Sequence, residues 1–558
     1  MAMPKDVIGY FTPEIALHED FKVHTYSGGL GFLAGGHAMS AKKLGIPLVA
    51  VSILHRQGYY DQQIKDGKMV ISYTDRHYPD IFEDTGNVEV PIASTHISVK
   101  VWRLKGEQNN SCPVILLDSD IEENDSLRYA RLNTLHVYGG SRERGSNDER
   151  KIAQYMILGI GGVKALRHLG YNVTLYHMNE SHSACAPLYL LDEKLKSGKA
   201  FETALNEVRN QVVFTNHTPV EAGNQKFKME IFRKMLGPDF LSHDLLRRLG
   251  TELSIPHIQD YFNMTIAGLK LSRQSNAVSV RHLETTLEQF AYVNKKEMPS
   301  IISITNGVNR DYWQLPEFRD AKSPIDMEAA KLKYNRLLLK EISKVCGKYF
   351  SENIPTLVWA RRFAEYKRAW LLFRDMDWFK ALLKSNRIQV IYAGKPHPDD
   401  TMMVELFNHI LRLSQELPSL VVLPEYDLRL SKVLKAGSHI WLNTPRAPME
   451  ASGTSGMGAN LNGGINVSTF DGWMCEADPD ECFIFGAKDS SGRTYDQDAF
   501  DAERLQITLE EVLDFYENDR EGWYEMALNA KLEAEEHWTS DRMVREYAEK
   551  IYKCNVTW

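Results

Sequence analysis

The chain has 558 residues, 43% hydrophobic and 25% charged, with a formal net charge of −8. That composition is ordinary for a globular protein, and the length is too great for one compact core, so two domains are expected. The acidic balance argues against nucleic acid or an anionic membrane as partner, and the sequence holds no apolar run long enough to span a bilayer. The opening MAMPKDVIGYF lacks the apolar core of a signal peptide. Cys112, Cys185, Cys346, Cys475, Cys482 and Cys554 show no CxxC spacing, so they read as reduced thiols with neither a disulfide framework nor a metal site. A cytoplasmic soluble enzyme is the expectation.

Short apolar runs at Val7–Phe11, Leu48–Leu54 and Val114–Leu117 have strand character and alternate with helical patterns at Ala38–Leu44 and Lys151–Leu169, the latter stopped by Gly170. Asn172–Tyr176 and Gln211–Thr215 read as further strands. Residues 315–355, rich in Pro, Lys and Glu, read as a linker. A second alternation follows, with strands at Pro355–Ala360, Gln389–Ala393, Leu420–Leu423 and His439–Leu442, and the tail from Glu503 is helical. This is the pattern of an α/β protein with two doubly wound, mainly parallel sheets. Ligands are then expected in a central cleft at the carboxyl ends of the strands.

Several segments could carry chemistry there. Tyr26-Ser27-Gly28-Gly29-Leu30-Gly31 lies between a strand and a helix, where glycines let backbone amides approach an anion; a tight turn without a ligand is the plain alternative. Ala360 to Arg368 holds four cations, with Arg362 and Lys367 at the turn after a buried strand and Tyr366 between them. Such a cluster suits phosphate, Arg by bidentate contact and Lys as a point charge, although most charge runs are solvated faces. His217 closes a strand in FTNHTP, and a lone histidine is more often a hydrogen-bonding residue than a catalyst. His177 to His182 (HMNESH) fits a cleft wall. Asn306 in TNGV has an Asn-Gly turn as its plain reading. Residues 450–464 read EASGTSGMGANLNGG, with Glu450 followed by Ser452, Gly453, Thr454 and Ser455 where a helix should begin, a setting for capping or for anion binding.

The EASGTSGM segment resembles the active-site segment of α-glucan phosphorylases, in the short bacterial and archaeal form. The resemblance extends through GIGGVKALRHLG (159–170), YAGKPHP (392–398), WLNTPRAPMEASGTSGM (441–457), DGWMCE (471–476) and DRMVREYAEKIY (541–552). The glycine loop is equally similar to that of bacterial starch and glycogen synthases. The resemblance implies a GT-B fold of two Rossmann-like domains, residues 1–310 on the acceptor side and 311–535 on the phosphate side. Residues 536–558 would form a C-terminal helix that crosses back, and a hinge is expected near 307–315.

By the same resemblance Arg362 and Lys367 clamp a phosphate and Tyr366 touches the sugar. The backbone carbonyl of His217 faces the anomeric carbon, Asn306 and Glu450 meet sugar hydroxyls, and amides at Gly28, Gly29, Leu30 and Ser452–Thr454 ring the ligand. It also implies a lysine at 458, bearing pyridoxal phosphate as a Schiff base. Gly458 stands there, so no cofactor is expected to be covalently bound, and non-covalent binding stays open. No nearby lysine is an evident replacement, Lys435 and Lys488 being the closest in sequence, and the hole left beside the clamp would hold a second phosphate or be filled, for example around Asn460. Three functions remain open: glucosyl transfer between an α-1,4-glucan and phosphate, a cofactor-independent transferase using a nucleotide-diphospho-sugar, and an inactive carbohydrate- or phosphate-binding homologue. The oligomeric state is open.

Overall fold

The computed structural model describes residues 6–17, 23–105, 111–127, 130–139, 147–220, 224–488 and 494–556. In chain order the strands are β1 (Val7–Phe11), β2 (Leu48–Ile53), a hairpin β3–β4 (Asp61–Lys65, Lys68–Ser72) and a longer hairpin β5–β6 (Phe82–Ile92, Thr95–Leu104). Next come β7 (Val114–Asp118), β8 (Val173–Asn179), β9 (Val212–Thr215), the short pair β10–β11 (Lys226–Lys228, Tyr261–Asn263), β12 (Gln274–Ala277) and β13 (Ile301–Ser303). Further on are β14 (Thr356–Ala360), β15 (Gln389–Ala393), β16 (Leu420–Leu423), β17 (Ile440–Asn443), β18 (Ile465–Thr469) and β19 (Phe483–Phe485).

They build a nine-stranded sheet ordered β13-β12-β9-β8-β1-β2-β7-β6-β5 and a six-stranded sheet ordered β16-β15-β14-β17-β18-β19. The six-stranded sheet is parallel throughout. The larger sheet is parallel except where the β5–β6 hairpin joins β7. Strands β1 and β14 are buried at every position, as expected of parallel strands covered on both faces. Strand order reverses between β1 and β8 in one sheet and between β14 and β17 in the other. Those are the places where a doubly wound sheet opens a crevice at its carboxyl edge.

Two expectations need correction. Residues 315–355 are not a linker. They contain the 23-residue helix Pro324–Cys346, begun by a Ser323–Asp326 capping box with Pro324 in its first turn and ended at Gly347, φ 66°. Proline and charge here mark a helix start and a solvated face. The single helix expected over Lys151–Leu169 is two α-helices, Asn147–Met156 and Gly162–His168, joined by a π-turn at Ile157–Gly161. Gly159 lies in that turn against the start of the helix Cys185–Lys196, where a side chain would strike the backbone of Cys185 and Ala186.

The end of the chain returns to the first sheet. Met543, Val544, Tyr547, Ile551 and Tyr552 are buried in one cluster with Ile8, Tyr10 and Leu48. Two stretches of backbone run side by side at this return: Val308 N–H donates to Trp538 O (2.9 Å) and Ser540 N–H to Val308 O (2.8 Å). A side chain on Gly307 would collide with the Thr539 carbonyl. Gly307→Ala is therefore expected to lower unfolding free energy by about 1–3 kcal/mol, measured by urea denaturation. An unchanged midpoint would show that this seam yields. Among the described residues no helix is long and apolar enough to cross a membrane.

Candidate active site

The carboxyl ends of both sheets open on one cavity of about 480 Å³, within the size range of small-molecule sites. Glu14 follows β1, Glu180 and His182 follow β8, His217 follows β9 and Asn306 follows β13; from the other sheet come Arg361–Lys367 after β14 and Glu450–Ser455 after β17. Gly28, Gly29, Leu30, His217, Asn306, Arg362, Tyr366, Lys367, Glu450, Ser452, Gly453 and Thr454 all line this cavity. The positions singled out in the sequence are thus brought together, although they span more than four hundred residues.

The four cations after β14 have separate fates. Arg368 is fully buried and pairs with Asp498 (2.9 Å) and Asp501 (2.8 Å), a structural anchor. Arg361 is buried too; its Nη2 donates to Leu442 O (3.1 Å) and to the Asn443 side chain, while its Nε has no partner among the described residues. Lys367 is ion-paired with Glu450, both side chains nearly buried, and its Nζ stands 4.9 Å from the Tyr366 ring centre. Arg362 is exposed to the cleft, and no carboxylate pairs with it among the described residues. Ser452 Oγ and Asn306 Oδ1 are likewise buried with no partner there. Unmet polar atoms around a cation are the arrangement an anionic, hydroxylated ligand would complete.

His217 is not an acid. Burial lowers it to about 3, so the ring is neutral and Nε2–H donates to Asn179 Oδ1 at 2.6 Å. Its backbone N–H (3.0 Å) and Thr218 Oγ1 (3.0 Å) both donate to Glu180. Glu180 has φ 80°, a strained value for a residue with a side chain, held here by that bonding and consistent with a functional wall. Of the segment His177–His182, Glu180 and His182 line the cleft, whereas His177 does not. It is buried between Tyr552 (2.7 Å) and Thr215 (2.8 Å) and ties the C-terminal segment to the sheet.

Residues 304–517 match the family described as carbohydrate phosphorylase. A maltodextrin phosphorylase of Thermococcus litoralis is 32% identical over 591 residues, covering 94% of this chain and 68% of that protein. A glycogen phosphorylase of Mycobacterium tuberculosis is 31% identical over 628 residues, covering 98% of this chain and 70% of that protein. An uncharacterized protein of Methanocaldococcus jannaschii is 39% identical over 552 residues, covering 98% of this chain and 99% of its own. The chain belongs to the carbohydrate phosphorylase family.

Three features of this phosphorylase-family site were not read from the sequence. The glycine loop already holds an anion, because the Glu14 carboxylate accepts from Ser27 N–H and Oγ, from Gly28 N–H (3.3 Å) and from Tyr138 OH (2.7 Å). Gly28 therefore serves an internal carboxylate, while Gly29 and Leu30 line the cavity at the start of helix Gly29–Lys43. Beneath Glu450, Asp471 accepts from Glu450 N–H (2.8 Å) and Gly472 N–H (2.9 Å), and burial raises its pKa well above the usual carboxylate range.

The third feature concerns Gly458, which lies in the helix Ser455–Asn460; its N-cap Thr454 makes no side-chain cap bond. A β-carbon at Gly458 would meet Lys435 Cδ and Cε at 2.9 Å. Lys435, not Asn460, fills the space beside residue 458. Asn460 instead bonds Asn466.

Proposed function

We propose that this chain transfers a hexosyl unit, with retention, between an α-1,4-glucan and phosphate. The two sheets act as the Rossmann-like halves of a GT-B enzyme, residues 1–310 and 311–535. The observation that carries this reading is Arg362, a cleft-exposed cation without a carboxylate partner among the described residues, beside Lys367. Arg362 and Lys367 hold the phosphate. Glu450 and Asn306 take sugar hydroxyls, Tyr366 packs on the sugar, amides at Gly29, Leu30 and Ser452–Thr454 stabilise developing charge, and the His217 carbonyl faces the anomeric carbon. A neutral His217 supports a positioning role.

The family cofactor, pyridoxal phosphate, would supply a phosphate that relays charge or a proton to the substrate phosphate. Position 458 has no amine to hold it, so no adduct forms at that residue. Other residues fit such a group: among the described residues Arg361 has an unpartnered Nε and Ser452 an unpartnered hydroxyl, and Lys435 lines the same cavity.

The test incubates the protein with maltodextrin and phosphate, with and without added pyridoxal phosphate, and measures sugar phosphate released. Thermal shifts with glucose 1-phosphate and with nucleotide sugars are run alongside, since a ligand stabilises the state it binds. Sugar phosphate formation is expected. Turnover of a nucleotide sugar without any sugar phosphate would overturn the reading.

A further inference from the structure

The amine that residue 458 lacks is present one helix away. Lys435 stands on the helix Leu428–Gly437, and its methylenes pass directly over Gly458, where a β-carbon would meet Cδ and Cε at 2.9 Å. Any larger residue at 458 would displace this lysine. Its Nζ donates to Ser431 Oγ one turn earlier and lies 4.1 Å from the Trp313 ring centre and 5.4 Å from that of Trp441. Among the described residues no carboxylate pairs with it. Lys435, Trp313, Arg361, Ser452 and Ser455 all line the cavity. A wholly buried lysine held only by a hydroxyl and two indole faces is costly to keep charged, and a structural role would be met more cheaply by Met or Leu.

We propose that Lys435 is the reactive amine of this site and condenses with an aldehyde-bearing, phosphorylated cofactor placed between the two sheets. The neutral Nζ attacks the aldehyde carbon. The new C–N bond becomes a double bond as the carbonyl oxygen leaves as water with the two amine protons, so no oxidant or reductant is needed. Burial, with Arg361 nearby, lowers Lys435 to about 7. Much of it is therefore neutral and nucleophilic at pH 7, where an exposed lysine is almost wholly protonated. Arg361 Nε and the Ser452 hydroxyl, both without partners among the described residues, supply donors for the cofactor phosphate.

This inference rests on the phosphorylase reading for its choice of probe but is tested without any assay of activity. The purified chain is mixed with pyridoxal phosphate, the absorption band of the aldehyde is followed, borohydride is added, and intact mass and peptide mapping locate the label. One pyridoxyl phosphate per chain on the Lys435 peptide is the expected result. Lys435→Arg and Lys435→Met should lose it while keeping their melting temperature. Because Met replaces the methylenes, this control guards against simple misfolding. Label on another lysine, label spread over surface lysines, or no label would each overturn the proposal. Labelling without phosphorolysis would leave this inference standing and sink the proposed reaction; phosphorolysis without labelling would do the reverse.

Discussion

Acidification from pH 7 to pH 5 should destabilise this protein severely. His37, His182, His217 and His282 are lowered to about 3, and His24, His55 and His136 to about 4, each by burial first. Their unfolded value is about 6.5. Below that pH the unfolded chain takes up protons that the native one refuses, so the stability is present above about 6.5 and is lost as pH falls toward the folded values. Each such histidine loses about 2 kcal/mol between pH 7 and pH 5.

Asp118, Glu180, Asp192, Asp471, Glu481 and Glu533, raised by burial, act in the opposite sense and stabilise as pH falls, but the lowered histidines, with His177, His397 and His439 added to those seven, outnumber them. A net loss of about 5 kcal/mol is expected, comparable with the whole stability of a typical domain. Urea titrations at the two pH values measure it, and a flat or rising stability would show that the buried rings are reached by water. His282→Asn should reduce the slope, because it removes one of the buried rings whose protonation burial opposes, a ring whose Nδ1 accepts from Val278 N–H at 3.3 Å.

How much of this was legible beforehand depends on the distance over which each signal acts. Strands β1, β14, β15 and β16 are continuous apolar runs, so the parallel core could be read locally. The β5–β6 hairpin was missed because its residues are largely half-buried or exposed, and Gly86 and Pro91 break the pattern. The helix Pro324–Cys346 reads as a linker in the sequence because proline and lysine obscure its capping box. His217, Asn306, Arg362, Lys367 and Glu450 are readable because each lies in a polar segment just after an apolar strand. Glu14 and Lys435 are not. Nothing near Glu14 announces that its carboxylate folds back onto the glycine loop. That Lys435 meets Gly458 depends on β14 pairing with β17, which sets the neighbouring helices side by side.

Arg362→Ala should weaken binding of phosphate or glucose 1-phosphate by about 2–3 kcal/mol, roughly 30- to 150-fold, the cost of losing a charge-assisted contact. Arg362 is exposed to the cleft, so the folded state should lose little stability. Arg368→Met, by contrast, strands Asp501, while Asp498 keeps Arg446 (2.8 Å), and should destabilise by about 3–5 kcal/mol without acting on phosphate directly. The informative partner is Glu450→Gln. In the free site Lys367 is paired with Glu450, so phosphate must compete with that carboxylate for the ammonium. Removing the negative charge should tighten phosphate binding by about 1 kcal/mol, while turnover falls because the acceptor for a sugar hydroxyl is weakened. Calorimetric titration with phosphate, set beside the rate of sugar phosphate formation, separates the two effects. Unchanged affinity for every phosphorylated ligand in Arg362→Ala would remove the clamp from the mechanism. Weaker phosphate binding in Glu450→Gln would mean that Glu450 orients Lys367 toward the ligand instead of withholding it.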